Sequence, residues 1–105
     1  MAESVLAIEP HHLRLVHEIL NRHVPTHEVW AFGSRVTGTH KEYSDLDLAI
    51  ITCEPMSIST AASLSDAFSQ SDLPYKVDLV DWASTSDSFR QIIEGQRVVV
   101  RPISN

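Results

Sequence analysis

Cysteine is nearly absent from this chain: Cys53 stands alone, so no internal disulfide can form and a disulfide-built secreted scaffold is excluded. Basic residues are scarce too, eight Lys and Arg against fourteen Asp and Glu, which leaves a net charge of −6. A surface of that sign repels phosphate backbones, so direct nucleic-acid binding is not expected. No apolar run approaches the roughly 20 residues of a membrane span, and the first residues lack the basic-then-apolar pattern of a signal peptide. These absences point to the cytoplasm and away from membranes. Glycine and proline are also few, and there is no repeat or low-complexity stretch, so the 105 residues read as one domain, 1–105, with one core.

What is present is an alternation of helical and strand patterns. From Pro10 to His23, Leu13, Val16 and Leu20 recur at helical spacing behind a proline suited to a first helical position. Glu28 to Phe32 is a short β-prone run that stops at Gly33. Ser34 to Ser44 is polar and reads as a turn or short helix. Asp45 to Thr52 then alternates, with Asp45, Asp47, Ala49 and Ile51 on one face. A helix fits Ser59 to Ser71, a third strand Lys76 to Trp82, and a last helix Ser86 to Glu94 with Gly95 as its expected C-cap. Val98 to Val100 adds a final strand. Strands separated by helices imply an α/β (α+β) fold, one small sheet flanked by helices, with pairing order left open.

The chemistry concentrates around two of the three glycines. Gly33-Ser34 follows an apolar strand and opens a helix-like segment, where backbone N–H groups and a hydroxyl can hold phosphate oxygens. Ten residues further on, Asp45-Leu46-Asp47 puts two carboxylates on the same strand face. Side by side they repel unless a cation neutralises them, and oxygen ligands of this kind suit Mg²⁺ or Mn²⁺. A third carboxylate comes from the strand Val77-Asp78-Leu79-Val80-Asp81. Asp78 and Asp81 have opposite parity, so only one can face the metals; Asp78, mid-strand among apolar residues, is the better candidate. Asp81 reads as a strand-end turn or capping residue.

Gly33-Ser34, ten residues, then Asp45-x-Asp47, within GSRVTGTHKEYSDLDLAI, resembles the signature of DNA polymerase beta-like nucleotidyltransferases, specifically the minimal nucleotidyltransferases of prokaryotes. With KVDLVDW, the resemblance covers roughly residues 28 to 82. It implies a polymerase beta-like core in which Asp45, Asp47 and Asp78 hold two Mg²⁺ or Mn²⁺ ions and Gly33 and Ser34 cradle the triphosphate of ATP. Arg35 and Lys41, next to the motif, are further candidates for phosphate contact. Larger relatives carry extra domains that grip the acceptor; here the acceptor must be held by another protein or by a second copy of the chain. In the minimal family that partner is commonly a helical HEPN-type toxin, so the resemblance implies an antitoxin that transfers AMP from ATP to a tyrosine of the toxin. The alternatives are an antitoxin that only covers its toxin, and a free-standing drug-modifying nucleotidyltransferase.

Six histidines invite a different metal reading. His17-Glu18 begins an H-E-x-x-H string, but Asn21 stands where the second histidine belongs, which excludes a zinc protease. No ligand spacing is visible among the others, which read as an exposed helix face and its connection. Trp30 and Trp82 read as core.

Overall fold

The structure, a computed structural model, describes residues 6–102. Helix α1 spans Pro10–His23 and strand β1 Glu28–Phe32. A single helical turn, α2 (Ser34–Thr37), leads through a loop to β2 (Leu46–Ile51). Helix α3 (Ile58–Ser69), strand β3 (Val77–Asp81), a 3₁₀ turn over Trp82–Ser84, helix α4 (Asp87–Gln96) and strand β4 (Val98–Arg101) complete the order. Serines start two of the helices as expected: the Ser57 and Ser86 hydroxyls accept from the amides of Thr60 and Phe89.

The last helix does not end where its glycine suggested. Gly95 lies inside α4, and Arg97, in extended backbone, terminates it. The chain passes directly from α4 into β4, and a left-handed glycine cap would turn it away from that path.

The sheet runs β3-β2-β1-β4. Strand β1 is antiparallel to both β2 and β4, whereas β2 and β3 are parallel. The mixture follows from the connections: the α2 loop doubles the chain back, while α3 serves as the crossover that a parallel pair requires. One sheet face carries Val29, Ala31, Leu46, Leu48 and Ile50, which pack with Val16 and Leu20 of α1 and Leu64 and Phe68 of α3 in the main core. The other face carries a smaller apolar cluster of Trp30, Phe32 and Ala49 with Ile93 of α4. Trp30 is buried there and partly buried Trp82 meets it edge to face, with ring centroids 5.0 Å apart, so only the first is a core residue. His17, by contrast, is no idle surface residue: its Nε2 lies 2.9 Å from the carbonyl of Val100 and joins α1 to β4.

Asp81 pairs in register with Ile50 and so belongs to the main-core face. Its carboxylate accepts from the Thr52 hydroxyl at 2.5 Å and from the Met56 amide at 2.7 Å, fastening the end of β3 to the segment that enters α3. Asp81→Ala leaves both donors without an acceptor, and urea unfolding should register a loss of about 1–3 kcal/mol; an unchanged midpoint would show that the link contributes nothing.

Candidate active site

The register of three strands brings the sequence-predicted carboxylates to one place. Phe32 of β1 pairs with Asp47 of β2, and Asp47 pairs with Asp78 of β3, so Asp47 and Asp78 stand side by side on the α4 side of the sheet. Asp45 precedes β2 by one residue and shares the parity of Asp47. Asp81 faces the opposite way.

Gly33 follows Phe32 and therefore lies beside Asp47. Its φ is +83°, a left-handed value, and a Cβ added there would clash with the Oδ2 atom of Asp47. Both constraints select glycine. The same residue is the N-cap of α2, whose first residue is Ser34. Gly33, Ser34, Asp47 and Asp78 are thus assembled by backbone pairing alone.

The electrostatics fit unbalanced carboxylates. Asp47 is pushed up from 3.8 to about 6, first by burial and then by the charges of Asp78 and Asp45. Asp45 is raised as well, above all by a hydrogen bond with Asp78, with burial and the Asp78 charge adding to it and Lys76 opposing. Among the described residues, the trio of His, Cys, Asp or Glu with all ligand atoms within 4.8 Å of one another is Glu9, His11 and His12; the three aspartates do not all meet that spacing together.

Arg35 does not join this group. It is 5% exposed, and its guanidinium donates to the carbonyls of Ser44, Glu42 and Ala7 at 2.9, 2.9 and 3.0 Å while lying 4.0 Å from the Tyr75 ring centroid. Two of these bonds brace the loop before β2 and the third ties it to the segment before α1. Lys41 is exposed and lines a 710 Å³ cleft with Arg35, Tyr75 and Glu9, a cleft that none of the three aspartates lines.

Two residues that sequence reasoning passed over do reach the site. Lys76 Nζ lies 3.3 Å from Asp78 Oδ1; strand parity, two residues back from Asp78, was the signal available for it. Gln96, at the end of α4, accepts the Gly33 N–H through Oε1 at 2.5 Å. That contact spans 63 positions, and no local pattern announces it.

Strand, glycine turn and carboxylates of this kind recur in known proteins. Residues 15–102 match the model of the family described as polymerase beta, nucleotidyltransferase. The chain belongs to that family. This nucleotidyltransferase is 53% identical over 96 residues to the probable protein adenylyltransferase MntA of Haemophilus influenzae, covering 91% of this chain and 84% of that one. Its fold is that of a toxin–antitoxin crystal structure with AMP-PNP (TM-score 0.72, 24% identity, 85% of this chain and 72% of that one). It also superimposes on the complex of a tri-AMPylated Shewanella oneidensis HEPN toxin with an MNT antitoxin, with TM-score 0.63 and 23% identity over 85% of this chain and 68% of that one.

Two expectations follow from the geometry. Gly33→Ala forces a side chain into both a left-handed φ and the Asp47 carboxylate; a loss of about 1–3 kcal/mol is expected in chemical unfolding, and wild-type stability in this variant would contradict the contact. The second concerns pH. Because Asp47 binds its proton more tightly folded than unfolded, its contribution to metal-free stability should be fully present below the ordinary value of 3.8 and be lost as pH rises through about 6. Asp47→Asn should flatten that decline, so that in EDTA its melting temperature exceeds wild type at about pH 7 to 8 and converges with it near pH 4. Parallel curves for the two proteins would count against the raised Asp47.

Proposed function

We propose that this nucleotidyltransferase is an antitoxin that transfers AMP from ATP to a tyrosine of a HEPN-type toxin in the cytoplasm. The observation that carries the reading is the set of carboxylates Asp45, Asp47 and Asp78 on one sheet face, with Asp47 against Gly33. The 53% identity to a probable protein adenylyltransferase supports the transferred group and the class of acceptor.

The donor set suits two Mg²⁺ or Mn²⁺ ions: three carboxylates, all oxygen ligands, two of them holding protons more tightly than usual, Asp47 first through burial and Asp45 first through its hydrogen bond with Asp78, with the neighbouring carboxylate charges adding to both. When bound, such ions lower the pKa of an attacking hydroxyl and neutralise phosphate charge. The chain's own residues do the positioning. Gly33, lacking a side chain, lets the β- and γ-phosphates approach the backbone, and the Ser34 hydroxyl donates to a phosphate oxygen. ATP displaces or reorients Gln96 to use the Gly33 amide. Lys76 steadies Asp78. The acceptor hydroxyl gives up its proton to solvent and its oxygen forms a bond to the α-phosphorus as the α–β anhydride bond breaks, leaving AMP on the acceptor and releasing pyrophosphate. The toxin, or a toxin together with a second copy of this chain, supplies the acceptor surface.

The test uses ATP, Mg²⁺ and the protein encoded beside this chain. Intact-mass spectrometry should show one or more AMP additions on a tyrosine of that neighbour. Asp45→Asn should abolish them while the two proteins still bind, and Asp78→Asn should slow transfer by at least about a hundredfold, the scale of losing a group that acts in the transition state. A neighbour that stays unmodified yet is fully inhibited by Asp45→Asn would replace catalysis with masking.

A further inference from the structure

We propose that Glu9, His11 and His12 form a transition-metal site, separate from the aspartates and selective for a borderline ion of the Zn²⁺ class. The carboxylate and the two imidazoles lie with ligand atoms all within 4.8 Å of one another. Glu9 Oε2 and His11 Nδ1 are 3.4 Å apart. Two ligands held about 2.0–2.1 Å from one tetrahedral ion stand roughly 3.3 Å from each other, so this pair already has the spacing that a shared ion needs. The His11 and His12 rings are 4.1 Å apart, centroid to centroid, with His11 exposed and His12 half-buried.

The backbone holds these ligands on a firm base. Glu9 is the extended residue before Pro10, and both histidines lie in the first turn of a helix anchored by buried Val16 and Leu20. His12 is further steadied by Tyr75, whose ring meets it edge to face at 5.6 Å. Tyr75 is 8% exposed, and its hydroxyl has no hydrogen-bond partner among the described residues. It lines the 710 Å³ cleft together with Glu9 and His12, where a metal-bound water or anion could supply the missing partner. Beside the two imidazoles, Asp72 and Glu18 line a second cleft of 400 Å³ and add negative potential, against which Arg14 and the helix N-terminus act.

The donor chemistry separates this site from the aspartates. Two nitrogens and one oxygen favour Zn²⁺, Co²⁺ or Ni²⁺, whereas three carboxylates favour Mg²⁺ or Mn²⁺. The location separates them too, since α1 packs on the sheet face opposite Asp47 and Asp78. The inference is therefore independent of nucleotidyl transfer.

Co²⁺ titrated into the untagged full chain provides the test, because nitrogen ligation gives visible absorption bands of low-coordinate cobalt. One equivalent should bind with such bands, and Zn²⁺ should displace it. His11→Gln and His12→Gln should each weaken binding by more than the roughly tenfold that loss of an outer partner costs, with unchanged far-UV circular dichroism. Asp45→Asn/Asp47→Asn should leave the spectrum as in wild type. Absence of the bands, or equal binding by the His12→Gln protein, would overturn the site; bands lost only in the aspartate variant would move the ion to the other face of the sheet.

Discussion

The contact between the Asp47 carboxylate and the backbone of Gly33 is the constraint around which this molecule is arranged. It requires β1 and β2 to pair with Phe32 opposite Asp47, and it requires a residue without a side chain just after β1. A shift of one residue in that register would turn Asp47 into the main core and carry Leu46 or Leu48 to the polar face. The register therefore fixes the chemistry and the core together. A parallel pairing with β3 then adds Asp78 without any further device.

Strand β2 carries two opposed demands. Its Leu46, Leu48 and Ile50 are fully buried against α1 and α3, each stabilising the fold by about 1.5–3 kcal/mol, while its other edge-on face begins with carboxylates that repel one another. The apolar side offsets the charged side. That division explains how a chain with a net charge of −6 keeps its acidic groups together instead of dispersing them. Arg35 contributes from behind: held in the left-handed turn's wake by three carbonyls and Tyr75, it stiffens the loop between α2 and β2, so that the approach to Asp45 and Asp47 has a defined path.

The two clusters of titratable residues differ in kind. The aspartates are placed by strand pairing and offer only oxygen, whereas Glu9, His11 and His12 are exposed or half-buried, lie within a tighter spacing and are rich in nitrogen. With both clusters occupied, the difference in donor type would direct different ions to the two of them. The first serves the reading of the protein as a nucleotidyltransferase; the second would clamp the segment leading into α1, whose Ala7 carbonyl also receives Arg35.

Periodicity alone was sufficient to place α1, α3, α4 and the four strands to within one or two residues, because local preferences and the tertiary arrangement agree there, whereas the polar stretch Ser34 to Ser44 left the single turn α2 unbounded and the 3₁₀ turn over Trp82–Ser84 carries no periodic signal. The parity of Asp45, Asp47, Asp78 and Asp81 could likewise be read from the chain, since side-chain direction in a strand alternates whatever the partner strand is. Motif spacing named the family through residues that are neighbours in sequence. Tertiary structure alone decided the rest. The sheet order, the burial of Arg35, the continuation of α4 through Gly95, and the meeting of Gln96 with Gly33 all depend on segments distant along the chain. Glu9, His11 and His12 are sequence neighbours, yet no helical spacing marks them as ligands; their convergence arises from an extended residue meeting the first turn of a helix, a geometry that exists only once α1 is anchored to the core.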